Sequence, residues 1–171
     1  MNRVTFLIDG FNLYHSVRDA ENDLRLSTKW LDINRLCHSY IYLFGRSAVL
    51  QKIYYFSALA KHLEASNPDV TKRHRDFIAC LLDSGIIVEL NRFKKNALRC
   101  KHCKKHFYRH EEKETDVSLA VKLLELFVLD ACDTAVLVTG DTDLSPAVKT
   151  AKQLFPAKKI TFSFPYKRKN K

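Results

Sequence analysis

The sequence predicts an α/β protein with a doubly wound, mainly parallel five-stranded sheet and a small insert that contains Cys and His. Short apolar runs alternate along the chain with segments of helical periodicity, the pattern that parallel sheets covered by helices produce. The chain has 171 residues, of which 46% are hydrophobic and 28% charged, a size and composition typical of one folded domain. We therefore expect a single domain over residues 1–171.

Five runs of aliphatic, β-branched and aromatic residues are predicted to be strands, because turn residues bound each of them. They cover residues 4–8, 49–59, 86–90, 135–138 and 160–164. Asp9 and Gly10 directly follow the first run, and Gly140 and Asp141 follow the fourth, so both strands are expected to end sharply. In a doubly wound sheet we expect these two strands to be neighbours near the centre.

Helical periodicity predicts five helices, over residues 12–19, 31–44, 67–82, 115–128 and 144–154. Thr115 is predicted to be the N-cap of the fourth helix. The apolar stripe of that helix is predicted to consist of Val117, Ala120, Val121, Leu124 and Val128. Pro146 fits the first turn of the fifth helix, where the missing N–H costs nothing.

The formal net charge of +10 is concentrated in two segments that contain no acid. Residues 92–110 hold eight Lys or Arg and three His, and residues 158–171 hold six more Lys or Arg. A solvated surface is one interpretation, but the aromatic residues Phe93, Phe107 and Tyr108 among the basic ones favour nucleic acid, because cations neutralise phosphates and rings stack on unpaired bases. We define residues 92–112 as the basic insert and residues 165–171 as the C-terminal tail.

The side chains predicted to contact RNA in these segments and beside them are Arg92, Lys94, Lys95, Arg99, Lys104, Lys105, Lys113, Lys167 and Arg168. For Lys113, a solvated surface position is an equal alternative. The tail is expected to be either an ordered RNA-contacting arm or a frayed end.

Composition argues against membrane and secreted classes. No run approaches the ~20 apolar residues that a membrane span needs, and the apolar run before Asp9 is too short for a secretory signal. The chain has five cysteines, an odd number that argues against a disulfide framework and for a reducing compartment. We therefore expect a cytoplasmic protein with no membrane partner, and leave a homodimer open.

Acidic residues follow both central strands. Asp9 ends the first strand, Asp141 and Asp143 follow the fourth, and Asp116 begins the helix that leads into the fourth. Taken singly, Asp9 could form a turn, Asp116 could answer the helix dipole and Asp143 could be an N-cap. Functional groups gather beyond the carboxyl ends of parallel strands, and carboxylates brought together there repel unless a cation lies among them. Oxygen ligands of this kind suit Mg²⁺ or Mn²⁺.

Three motifs carry a family resemblance: Asp9-Gly10-Phe11-Asn12, Glu112-Lys113-Glu114-Thr115-Asp116-Val117 and Thr139-Gly140-Asp141-Thr142-Asp143-Leu144. In this order they resemble the NYN domains, which are PIN-like ribonucleases, and in particular the bacterial LabA-like branch. The resemblance runs from about residue 3 to about residue 164. It implies a PIN-like fold, a divalent metal at a cluster of acids and cleavage of RNA.

The resemblance also assigns residues. Asp9, Asp116, Asp141 and Asp143 match the metal-binding acids of the family, and Asn12 matches its polar partner. Glu114 stands where relatives often have Gly, which adds a carboxylate of uncertain role. The hypothesis is a Mg²⁺- or Mn²⁺-dependent endoribonuclease in which these four acids and Asn12 are catalytic.

Two other functions compete with this hypothesis. One is an RNA-binding or adaptor protein that keeps the PIN-like fold but does not cut. The other is a phosphatase of the haloacid dehalogenase type, which is disfavoured because its second Asp would stand at the position of Phe11. RNA is favoured over DNA by the resemblance alone.

The basic insert also contains a possible metal motif. Cys100, Cys103, His106 and His110 are spaced C-x2-C-x2-H-x3-H, which predicts a structural zinc site. Because the spacing is tighter than in the usual finger, His102 or a ligand from elsewhere in the chain could replace one of the four. A surface loop without metal and a redox pair are the alternatives. The remaining cysteines, Cys37, Cys80 and Cys132, are expected to be small core residues.

Overall fold

The computed structural model describes residues 1–25, 27–28 and 30–168. Within them lie six strands: β1 (Asn2–Asp9), β2 (Ala48–Ala58), β3 (Ile87–Arg99), β4 (His106–Lys113), β5 (Thr134–Val138) and β6 (Lys159–Ser163). The α-helices are α1 (Gly10–Leu24), α2 (Ile33–Tyr40), α3 (Val70–Asp83), α4 (Thr115–Val128) and α5 (Ser145–Leu154). Short 3-10 turns cover Ile41–Phe44 and Lys61–Leu63.

The strands form one sheet in the order β4-β3-β2-β1-β5-β6. β1, β2, β3, β5 and β6 are parallel to one another, whereas β4 runs antiparallel to β3. The parallel α/β architecture is therefore confirmed, and β1 and β5 are neighbours as predicted. The prediction of five strands was wrong by one, because the basic insert supplies a sixth.

The basic insert is a β-hairpin and not an irregular excursion. β3 continues past the rest of the sheet, turns and returns as β4, so that Arg92 lies opposite Lys113 and Arg99 opposite His106. Most side chains of this ribbon are exposed or half-buried. Because neither face of the ribbon covers a core, its sequence lacks the apolar run that marks the central strands.

Helices cover both faces of the sheet. On one face, Leu7 and Leu137 of the central strands pack against Leu119 and Leu123 of α4 and Val148 of α5. On the other face, the strands pack against Leu13 of α1, Ile33 and Cys37 of α2 and Leu81 of α3. This is the doubly wound arrangement that the alternating pattern predicted.

The stripe predicted for α4 was largely on the wrong face. Val117, Val121 and Val128 are 65%, 57% and 68% exposed, and Ala120 and Leu124 are partly buried. The buried residues of α4 are Thr115, Leu119, Leu123, Leu126 and Phe127. Because apolar residues occur all around this helix, their spacing did not single out one face. Cys37 and Cys132 are buried as expected, but Cys80 is exposed on α3.

A network of charged side chains joins β1, β5 and β6 at the amino-terminal edge of the sheet. Arg3 of β1 donates to both carboxylate oxygens of Asp133, at 3.0 and 2.8 Å, and to Asp130 at 2.9 Å. Lys158, which precedes β6, pairs with the same two aspartates. The network joins three strands at the edge opposite the acidic motifs. No helix among the described residues has the length and apolar character to span a membrane.

Candidate active site at the carboxyl ends of β1 and β5

Asp9 is fixed between the two central strands. It ends β1 and caps α1, with Oδ1 accepting a hydrogen bond from the backbone N–H of Asn12 at 2.9 Å. Its other oxygen, Oδ2, accepts from the hydroxyl of Thr139 at 3.1 Å, just beyond β5. The carboxylate is therefore buried and oriented by the turns that follow both strands.

Gly10 lets α1 begin directly against β2. A Cβ at this position would come within 2.5 Å of the backbone oxygen of Phe56 and 2.6 Å of the Tyr55 ring. The Tyr55 hydroxyl donates to the Gly10 carbonyl at 3.3 Å. The Asp-Gly motif is thus required by close packing as well as by the position of Asp9.

The turn after β5 is held by side-chain oxygens. The N–H of Asp141 donates to Thr139 Oγ1 at 3.0 Å, and the N–H of Asp143 donates to Asp141 Oδ1 at 2.9 Å. Asn12 Oδ1 accepts from the N–H of Gly140 at 3.2 Å. Asn12 therefore joins the start of α1 to this turn, which makes it a positioning residue for Asp141.

The junction of β4 and α4 brings further acidic residues close to Asp9 and Asp141. A single residue, Glu114, separates these elements, so Glu112 and Asp116 lie close together on either side of it. Thr115 donates to Glu112 Oε1 at 2.6 Å and accepts from the Asn91 amide at 3.1 Å. Glu112 was missed as a site residue by the sequence reasoning, although it stands in the same motif as Asp116.

These elements enclose a cavity of about 110 Å³, which we name the acidic cavity. Its lining is mostly carboxylate and consists of Asp9, Phe11, Asn12, Glu112, Glu114, Thr115, Asp116 and Asp141. Of the four predicted metal-binding acids, the structure brings Asp9, Asp116 and Asp141 to this cavity. Asp143 is exposed and does not line it.

Burial and mutual repulsion raise the pKa values of the cavity acids. Burial is the largest cause of the rise in the pKa of Asp116 to about 6, and the charges of Asp141, Asp9 and Asp143 add to it. The pKa of Asp9 is raised by burial, in opposition to its hydrogen bonds. Burial also raises the pKa of Glu112, with Asp9 and Asp116 contributing. The cavity therefore holds more negative charge than its surroundings compensate.

The donor set has the right chemistry for a hard divalent cation, because carboxylate oxygens are the ligands that Mg²⁺ and Mn²⁺ prefer. Among residues 1–25, 27–28 and 30–168, however, no three His, Cys, Asp or Glu side chains form a group that could hold a metal ion as they stand. The acids thus face one cavity without forming a ready-made coordination shell. A cation would have to draw the side chains together.

The structure does not bring the four predicted zinc ligands together. His106 and His110 lie on β4 opposite Arg99 and Lys95. Four strand positions span ~13 Å, whereas zinc ligands lie about 2.0–2.3 Å from the metal. His110 instead stacks on His62, with ring centroids 4.2 Å apart. Cys100 and Cys103 lie in the turn that joins β3 to β4, where the N–H of Lys104 donates to the Cys100 carbonyl at 3.0 Å. Hydrogen bonds from the backbone of Cys103 and His102 lower the pKa of the Cys100 thiol.

The predicted RNA-contacting residues of the basic insert lie along the hairpin. Arg92 pairs with Glu114 at 2.6 Å, and Lys113 pairs with Glu111 at 3.1 Å. Lys95 places its ammonium 3.8 Å from the centre of the Tyr108 ring. The others, Lys94, Arg99, Lys104 and Lys105, are exposed. The hairpin therefore presents a cationic surface that begins beside the acidic cavity.

The described part of the C-terminal tail folds back onto α1. Lys167 pairs with Asp23 at 2.6 Å, and Arg168 pairs with Asp19. The Arg168 carbonyl lies so close to Gly140 that a Cβ there would overlap it. Residues 169–171 lie outside the described residues. The two predicted RNA contacts in this tail are thus paired with acids of α1 next to the turn that carries Asp141.

Comparison with known families shows that residues 3–167 match the NYN domain. No curated protein matches the chain, and no solved structure does.

Proposed function

The chain belongs to the NYN domain family, and from that premise we propose that it is a metal-dependent ribonuclease that hydrolyses RNA phosphodiester bonds at the acidic cavity. The observation that carries the proposal is the convergence of Asp9, Asp116 and Asp141 from three separate elements on one small cavity. The pKa values of Asp9 and Asp116 are raised because burial and neighbouring carboxylates disfavour their negative charges. A cation in the cavity would compensate these charges.

In this proposal Asp9, Asp116 and Asp141 hold one or two Mg²⁺ or Mn²⁺ ions, with Glu112 and Asp143 close enough to contribute charge. Such a cation stabilises the charge that develops on phosphate oxygens and lowers the pKa of water. The protein's own part is orientation. Asp9 is held by Asn12 and Thr139, and Asn12 holds the turn that carries Asp141.

The basic hairpin would bind the RNA backbone beside this cavity. Arg92 contacts Glu114 at the boundary between the hairpin and the acidic cavity. An RNA strand bound along the hairpin would therefore place one of its phosphates beside the acids of the cavity. Membership of the LabA-like branch, a cytoplasmic location and a homodimer stay predictions.

Cleavage assays test the proposal. Labelled single-stranded RNA and DNA would be incubated with Mn²⁺, Mg²⁺ or EDTA, using the wild type and Asp141→Asn. We expect RNA cleavage that EDTA abolishes and that Asp141→Asn reduces more than about a hundred-fold, since even residues that only support metal ligands are worth 10–100-fold. The matched control is Asp76→Asn, an exposed aspartate on α3, which should cleave like the wild type.

Two results would overturn the proposal. The first is cleavage that persists in EDTA or in Asp141→Asn. The second is tight RNA binding by the wild type without cleavage in either metal, which would favour the non-catalytic RNA-binding alternative.

A further inference from the structure

A second and larger cavity, of about 380 Å³, lies at the base of the hairpin. None of the residues that line it is acidic. Its distinctive members are three cations and three flat rings: Lys61, Arg92, Lys95, His62, Phe93 and His110. We name it the basic-aromatic cavity. Its volume lies within the range of about 300–1,000 Å³ that is usual for small-ligand pockets.

The three rings form one aromatic surface built from three elements. The His62 ring, from the turn after β2, stacks on His110 of β4 with an interplanar angle of 8°. Phe93 of β3 lies 4.7 Å from His62 between ring centroids. Burial, with a contribution from His110, lowers the pKa of His62, which favours its neutral form. Stacked rings of this kind provide a platform for the flat face of a nucleobase.

The cations of the cavity complement a phosphate. Lys61 lies in the turn after β2 and Lys95 lies on β3. Arg92, also on β3, pairs with Glu114, which lines the acidic cavity. Next to it, the Asn91 amide donates to Thr115, which lines the acidic cavity. The two cavities are therefore immediate neighbours, separated by the Arg92–Glu114 pair.

We propose that the basic-aromatic cavity binds one unpaired nucleotide of the RNA strand beside the phosphate in the acidic cavity. The base would lie against Phe93, His62 and His110, and its phosphate against Lys61, Arg92 and Lys95. The inference rests on the proposed function, because it takes the acidic cavity as the place of the reacting phosphate. Bases in a duplex are paired and stacked and cannot enter such a cavity, so the substrate class is single-stranded RNA.

Binding measured in EDTA tests this inference without cleavage. The probes are a fluorescein-labelled single-stranded RNA of about 12 nucleotides and a duplex of the same sequence, followed by fluorescence anisotropy. Phe93→Ala should weaken single-strand binding about ten-fold, because one base–ring stack is lost. It should leave duplex binding and the salt dependence of binding unchanged, because no charge is removed. The control is Tyr42→Ala, an exposed ring in the Ile41–Phe44 turn that lines neither cavity, with less than about two-fold effect.

A second arm changes the RNA, so its first result, measured on the wild type, does not depend on the folding of a variant. An abasic site is moved along the RNA, and one position should weaken binding to the wild type about ten-fold but leave binding to Phe93→Ala unchanged. Equal losses on single strand and duplex, an equal effect of Tyr42→Ala, or no sensitive position would each overturn the inference. If the wild type cleaves RNA but Phe93→Ala does not weaken single-strand binding, only the role of the basic-aromatic cavity is overturned. If the binding results are as expected but the wild type does not cleave RNA, only the proposed function is overturned.

Discussion

Replacing Asp116 by Asn should stabilise the metal-free protein at neutral pH. Burial and the charges of Asp141 and Asp9 raise the pKa of Asp116 from 3.8 to about 6, so the folded state binds the proton more tightly than the unfolded chain does. The resulting loss of stability develops as the pH rises from about 4 to about 6 and is complete above that range. An amide of nearly the same shape does not ionise and avoids this loss.

The size of the effect follows from the pKa. The rise from 3.8 to about 6 corresponds to at most ~3 kcal/mol. Because Asp116 is only partly buried, solvent screening reduces the value, and we expect about 1–1.5 kcal/mol. For a domain of this size such a change corresponds to a few degrees in Tm.

Urea unfolding in EDTA, at several pH values between about 4 and 7.5, measures the free energy of unfolding of both proteins. Asp116→Asn should be the more stable at about pH 7.5, and its advantage should shrink toward pH 4. Saturating Mn²⁺ should reverse the order, because it binds the folded wild type more tightly than the variant. The exposed Asp76→Asn on α3 is the control and should track the wild type. If Asp116→Asn is no more stable in EDTA at pH 7.5, burial and the neighbouring charges do not disfavour the ionised Asp116 in the folded protein, and the electrostatic reasoning fails.

Two further predictions concern the tail and the opposite edge of the sheet. Gly140→Ala should displace the tail, because the new Cβ would overlap the Arg168 carbonyl. Limited trypsin digestion should then cut after Lys167 or Arg168 faster than in the wild type. Unchanged digestion would mean that the tail does not pack against Gly140. Arg3→Ala should lower the free energy of unfolding at neutral pH, because it removes the charged partner of Asp133, which is about one third exposed. Arg3 holds the pKa of Asp133 below its usual range, so this difference should fade as the pH drops below about 4, and a difference independent of pH would contradict it.

The central part of the fold could be predicted because strands that are buried on both faces of the sheet have continuous apolar sequences. Val4–Ile8 and the run that ends at Val138 are continuous apolar segments, and each is followed by a turn with Gly and Asp. The same turns placed Asp9 and Asp141 at the carboxyl edge, so three of the four predicted acids reach one cavity.

The basic hairpin could not be predicted in this way. Its strands cover no core, so no apolar alternation marks them, and the Cys and His spacing was interpreted as a metal motif instead. Once His106 and His110 lie on a strand, their four-residue spacing separates them. Glu112 and His62 were missed for a related reason: each gains its role only from contacts between the hairpin and the rest of the sheet.

Glu114 combines backbone strain with a position between the two cavities. Its φ of 78° lies in the left-handed region, which costs a non-glycine residue ~1 kcal/mol or more and which Gly adopts without that cost. Its pair with Arg92 is well exposed, with side-chain exposures of 47% and 76%, so the pair returns at most ~1 kcal/mol. Stability alone therefore does not favour Glu over Gly at this position.

The charge of Glu114 has a clearer consequence for binding. A phosphate that takes Arg92 leaves Glu114 unpaired beside Asp9 and Asp116, and a cation in the acidic cavity would compensate that charge. RNA and cation should thus strengthen each other's binding, by the same factor in both directions. Glu114→Gly should keep or raise the free energy of unfolding and free Arg92 for RNA, so that RNA binds more tightly in EDTA but gains less from added Ca²⁺, measured by anisotropy. An equal gain from Ca²⁺ in both proteins would show that Glu114 does not couple the two cavities.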